Sequence, residues 1–162
     1  MVASESSESF DRDELETWSA LATLLEWLPV ALDTQLKRDS GIAHFDFGVL
    51  FALSHAENGT LRMSDLAGFA NSTLSRLSRA VDRLEREEWV HRTVDPSDGR
   101  ITLATLTNEG RETVRNATPG HVQLVRGLVF DSLTRTQTRE LTDISRRITT
   151  AIRSQGGWRP PV

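Results

Sequence analysis

The strongest constraint on this chain is a change of period near residue 89. In "TLSRLSRAVDRLEREE", residues 73–88, Leu74, Leu77, Val81 and Leu84 recur at steps of three and four. That spacing predicts one buried helical stripe. Arg76, Arg79, Arg83 and Arg86 repeat the rhythm two residues on and line the opposite side. From Val90 to Thr107, "VHRTVDPSDGRITLATLT", apolar residues instead alternate about a Pro/Asp/Gly turn. Alternation has a period of two and a helix a period of 3.6, so one element cannot hold both. The chain must end an amphipathic helix and start a short β-hairpin at once.

The rest of the chain reads as helix. Asp11 and Glu14 form a capping-box variant that opens a long first helix. Leu15, Trp18, Leu21, Leu25, Leu28, Leu32 and Leu36 give it one apolar face, Pro29 predicts a kink or break, and "DSG" at 39–41 ends it. A second helix starts with Asp46 as cap and Phe45 stapled to Leu50, and closes at "ENGT", 57–60. Ser64 caps a short third helix, a turn falls at Asn71-Ser72, and Thr73 caps the fourth. After the hairpin, Thr107 opens a helix that is interrupted at Thr118-Pro119-Gly120 and resumes through "HVQLVRGLVFDSL". Thr134 and Gln137 form a second capping box for a last helix running to about Arg153.

A short capped helix, a tight turn and a second helix make a helix-turn-helix, and a hairpin directly after it makes the unit winged. This order gives the arginine stripe a chemistry. Arginine reads guanine bidentately through N7 and O6, and serine hydroxyls serve bases or phosphates. Ser75 and Ser78 stand near the helix N-terminus, which itself favours phosphate. Arg100 stands near the hairpin tip, placed to enter an adjacent minor groove, with Asp98 across Gly99 to orient its guanidinium. The competing structural readings are a solvated arginine face paired with Asp82, Glu85, Glu87 and Glu88, and an ordinary exposed Asp/Pro/Gly turn.

Composition bounds the rest. A chain of 162 residues fits one ordinary domain. Its net charge of −4 argues against non-specific coating of nucleic acid while permitting a locally basic face. The absence of cysteine removes thiol redox sensing. No apolar run is long enough to span a bilayer, and the acidic start "MVASESSESFDRDE" resembles no leader, so a cytoplasmic location without membrane contact is expected.

On these residues the chain resembles the MarR family of winged-helix regulators, over roughly residues 11–154. The matching stretches are "LRMSDLA" (61–67), "SRLSRAVDRLEREEWVHR" (75–92) and "DPSDGRITLATLTNEGRE" (95–112). The last carries Asp98 and Arg100, Leu106-Thr107 and Gly110 as a wing signature. The resemblance implies a mainly α fold: a winged helix-turn-helix with long N- and C-terminal dimerisation helices and one β-hairpin wing. It divides the chain into a disordered segment 1–10, dimerisation helices 11–40 and 107–154, a winged DNA-binding part 45–106 and a tail 155–162.

It also implies a homodimer on a palindromic double-stranded operator, most often as a repressor released by a small phenolic or anionic effector. The implied DNA contacts are Thr73, Ser75, Arg76, Ser78 and Arg79, phosphate contacts at Arg83 and Arg86, and Asp98 and Arg100 in the wing. Two departures stand out: Asn71 and Ser72 replace the family's Gly-Val turn, and Arg76 replaces a frequent threonine.

The apolar faces Val122, Val125, Leu128, Val129 and Leu141, Ile144, Ile148, Ile152 support dimerisation independently, although one terminus packing on the other would use the same surface. Trp18 and Trp27 suit core or dimer-seam packing, or else an effector pocket. His44, His55, His91 and His121 lack metal-ligand spacing, no catalytic or phosphate-loop motif occurs, and neither cofactor nor enzymatic activity is expected. The remaining alternatives are a winged-helix protein-interaction module without DNA binding, and a ligand-binding or catalytic protein using the dimer cleft.

Overall fold

A computed structural model describes residues 9–155, so nearly all of the expected disordered start and tail lie outside the described residues. The elements are α1 (Arg12–Ser40), α2 (His44–Ser54), a 3₁₀ turn (Glu57–Gly59), β1 (Thr60–Arg62), α3 (Met63–Phe69) and α4 (Leu74–Arg86). They continue as β2 (Val90–Asp95), β3 (Asp98–Leu106), α5 (Asn108–Val125), a π-helical turn (Arg126–Phe130) and α6 (Arg135–Ser154).

Side-chain caps explain most boundaries. Asp11 and Glu14 exchange hydrogen bonds at the start of α1, and Thr134 and Gln137 do so at α6. Thr73 Oγ1 accepts from the Arg76 amide and Thr107 Oγ1 from the Gly110 amide. Gly41 ends α1 with φ 68°. In that left-handed region a Cβ would cost energy.

Several expectations need correction. Neither proline interrupts its helix: α1 runs through Pro29 and α5 through Pro119. Each removes only one N–H, and the carbonyls left without that donor belong to the exposed Leu25 and Arg115, where water can serve them. Asp46 does not cap α2, so the Phe45–Leu50 staple loses its frame. Ala43 holds the cap position, and Asp33 of α1 accepts from the His44 amide at 2.9 Å. Ser64 lies inside α3, whose cap position is Arg62. Leu74 is exposed, because it begins α4 ahead of the turns that meet α2 and α3.

The sequence also showed one hairpin where the sheet has three strands, in the order β1-β3-β2 and all antiparallel. Thr60–Arg62 pairs with Leu103–Thr105, too short a stretch to reveal a period.

The core gathers Leu77, Val81 and Leu84 of α4 against Val49, Leu50 and Leu53 of α2 and Leu66 of α3. Leu36, Ala104, Leu106, Val114 and Ala117 close it from α1, β3 and α5. Little of the long apolar face of α1 takes part. Leu32 and Leu36 are buried, whereas Leu15, Trp18, Leu25 and Trp27 are exposed, so neither tryptophan is a core residue of the single chain. No residue of α6 is buried, and Leu141, Ile144, Ile148 and Ile152 all face outward. Termini packed on each other within one chain would have covered them.

Candidate nucleic-acid interface

The turn before α4 holds its shape in spite of its unusual residues. Asn71 takes φ 46°, a conformation asparagine tolerates better than most residues. Ser72 is buried, and its hydroxyl donates to the Thr73 carbonyl at 3.0 Å, which spares it an unsatisfied polar group. The chain then enters α4 with Thr73, Ser75, Arg76 and Arg79 all exposed.

The four stripe arginines are not equivalent. Arg83 forms a two-pronged ion pair with Asp46 of α2, Nη2–Oδ1 at 2.6 Å and Nε–Oδ2 at 3.0 Å. The Asp46 side chain is nearly buried, and this hydrogen bond raises the arginine's already high pKa. Arg83 is thus a brace between helices before it is a phosphate contact. Arg86 donates back to the Asp82 carbonyl at 3.2 Å. Arg76 lies 4.2 Å over the Phe45 ring, a cation–π contact. Among the described residues, Arg76 and Arg79 have no carboxylate partner.

The competing acids are occupied elsewhere. Arg92 of β2, which the sequence reading did not single out, takes both Asp82 and Glu85. Its Nε meets Glu85 Oε2 at 2.9 Å, and its backbone N–H meets Glu85 Oε1 at 2.8 Å. The Arg92 hydrogen bond holds the Glu85 carboxyl below its ordinary range. Ser78 also faces this cluster, 3.5 Å from Arg92 Nη1, and is only half exposed. Sequence spacing offered a clue: residues 78, 82 and 85 share one helix face.

At the wing, β2 and β3 are joined through Pro96-Ser97, with Asp95 Oδ1 accepting from the Ser97 amide at 2.8 Å. Asp98 does orient Arg100: Nε–Oδ1 and Nη2–Oδ2 are both 3.1 Å. Arg100's side chain remains 91% exposed, so the guanidinium is aimed without being covered. The same contact lowers the Asp98 pKa.

A family model for MarR matches residues 46–102, which span α2 to β3. Sco3205, a MarR family transcriptional regulator from Streptomyces coelicolor solved in complex with DNA, is 38% identical. The match covers 96% of this chain and 98% of that one, with a TM-score of 0.90. The chain belongs to the MarR family.

AbsC, a second MarR family regulator from Streptomyces coelicolor, is 31% identical over 91% of this chain and 99% of its own, with a TM-score of 0.87. The Escherichia coli transcriptional repressor MprA is 26% identical over 70% of this chain. YxaD of Bacillus subtilis, an uncharacterized HTH-type transcriptional regulator, is 35% identical over 53% of this chain. The chain spans 59% of YxaD and 64% of MprA, under two thirds of either relative.

Against this MarR frame, two clefts flank the winged part. One of about 360 Å³ lies among α1, α2, α3 and the start of α4, lined by Asp33, His44, Phe45, Phe69 and Arg76. Another of about 720 Å³ opens between α2 and α5, lined by Phe51, His55, Val114, Pro119 and Val122. Trp18 and Trp27 line neither. No helix among the described residues is long and apolar enough to cross a membrane.

Proposed function

We propose that this protein is a dimeric, sequence-specific DNA-binding repressor. In this reading α4 enters the major groove with Thr73, Ser75, Arg76, Ser78 and Arg79, and the wing sets Arg100 into the minor groove. The observation that carries it is the uneven use of charge on α4. The acids that would cancel its arginines are held by Arg92, while Arg76 and Arg79 stay unpaired beside an oriented, exposed Arg100. The likeness to Sco3205, solved on DNA, supports it further. An interaction module that had lost DNA binding would have no use for that arrangement.

The second part of the proposal divides the chain into dimerisation helices, 11–40 and 107–154, around a winged part, 45–106. The uncovered faces of α1 and α6 support a second copy as the missing cover. Two-fold symmetry would then make the operator palindromic. The effector site expected near Trp18 and Trp27 has firmer support in the cleft at Phe45 and Arg76. A ring faces a cation there, which suits a small aromatic anion.

The deciding experiment is fluorescence anisotropy against a duplex from the region upstream of the protein's own gene, with a scrambled duplex as control, over a salt series. Tighter binding to its own duplex is expected, with affinity falling steeply as salt rises. Arg100→Ala should weaken binding and reduce the salt slope by about one. Failure to bind either duplex at low salt would overturn the reading.

A further inference from the structure

The recognition helix and the wing are separate elements, and their contacts with DNA help each other only if the distance between them is fixed. We infer that Arg92 is the positioning residue that fixes it, joining α4 and the wing into one rigid reader; this rests on the DNA-binding reading above. Arg92 sits on β2, the edge strand of the sheet, in register with Ala104 of β3. Its guanidinium reaches Asp82 and Glu85 on α4, and its backbone N–H is capped by the same Glu85. Edge-strand amides without a neighbour normally face water. Here that amide and its side chain are both tied to one helix.

Arg92 is also the last tether along the hairpin. Beyond it Thr93 and Val94 are exposed, and among the described residues no hydrogen bond or ion pair links the side chains of 93–102 to α4. Asp95, at the end of β2, stands about 10 Å further on, at roughly 3.3 Å per residue. A tilt of about 10° at Arg92 therefore moves the tip by about 2 Å. Side-chain recognition tolerates only about 0.5 Å. The orientation given to Arg100 by Asp98 is local to the hairpin, so it cannot correct such a tilt. Arginine suits the task because its planar fork holds two carboxylates in fixed directions, where a lysine would act as a single point charge.

The test has two arms, using Arg92→Met, Arg92→Lys and Glu85→Gln in the full chain. In the free protein, hydrogen exchange of the amides of residues 93–103 should quicken about tenfold in Arg92→Met and less in Arg92→Lys. The amides of Leu77–Leu84 should stay protected in both. Glu85→Gln, which keeps the guanidinium and removes one anchor, serves if Arg92→Met does not fold.

On the upstream duplex, Arg100→Ala should weaken binding about tenfold in the parent and about twofold or less in the Arg92→Met background. An equal factor in both backgrounds, or unchanged wing exchange, would overturn the inference. If the parent protein binds no DNA, the functional reading fails by itself. The exchange arm still decides whether Arg92 holds the wing.

Discussion

Arg76, Arg79, Arg83 and Arg86 leave α4 at one helical rhythm and meet four different surroundings: a phenyl ring, solvent, a nearly buried carboxylate and a backbone carbonyl. The same residue type therefore has separable roles. Arg79→Ala should leave stability within about 0.5 kcal/mol, because nothing in the chain depends on it. It should cost about 1–3 kcal/mol of binding to the upstream duplex and relax its sequence preference. Arg83→Ala should act in reverse order. It strands Asp46 in the core and should destabilise the fold by about 1–3 kcal/mol in urea denaturation, with Arg83's partial exposure holding the cost below that of a fully buried pair. Stability curves and anisotropy on the same two variants check both statements.

At the scale of elements, close approach and junction chemistry decide the outcome. Gly110 opens α5 directly against the chain between α4 and β2. A Cβ built there would lie 2.2 Å from the Trp89 carbonyl oxygen and 2.7 Å from a Leu106 methyl. Backbone cannot yield cheaply, so Gly110→Ala should destabilise by about 1–3 kcal/mol or more. Gly48 in α2 has open space around its missing Cβ, and Gly48→Ala should instead stabilise by about 0.5–1 kcal/mol. Thermal melts of the pair check the contrast.

Where α2 meets α5, His44 and His121 stand with ring centroids 5.7 Å apart, and His121 also packs 4.8 Å from the Phe47 ring. Burial lowers both pKa values, opposed at His44 by Asp33 and reinforced at His121 by His44. Above the ordinary value of about 6.5 neither the folded nor the unfolded chain carries the proton. Below it the unfolded chain binds protons first, so stability should fall until the lowered folded values are reached. The melting temperature should drop by a few degrees between pH 7 and pH 5.5, and His121→Gln should flatten that slope.

Much of this level was legible beforehand. Caps at Asp11, Thr73, Thr107 and Thr134 announce themselves, because donor and acceptor lie within three residues of one another. The start of α2 did not, because its cap, Asp33, comes from eleven residues upstream. Arg92 was missed for the same reason: on β2 it looks like one more exposed strand residue, and its partners belong to α4. Both prolines misled, because a proline disturbs a helix only as much as the carbonyl it deprives needs that bond.

The whole molecule leaves its terminal helices uncovered. The sequence showed that these faces exist and the structure shows them exposed, while their role as a dimer seam belongs to the proposed function. Ile148→Glu sets a charge in the middle of the α6 face, where a monomeric chain would hardly register it. In a dimer it should halve the mass measured by sedimentation and weaken binding to the upstream duplex by about tenfold or more, because two half-sites would no longer be engaged together.

The π-helical turn at Arg126–Phe130 bears on how that seam is aimed. Its Asp131 amide reaches back five residues to the Arg126 carbonyl at 2.9 Å. Such a turn holds one residue more than the α-helix it interrupts. Losing a single codon there would let the helix relax to ordinary winding and swing everything after it by about 100° around the axis of α5. The winged part would be untouched by the deletion, yet α6 would point elsewhere. Length changes in this short stretch, more than substitutions, are where a lineage of such proteins could change the spacing between its two reading heads in one step.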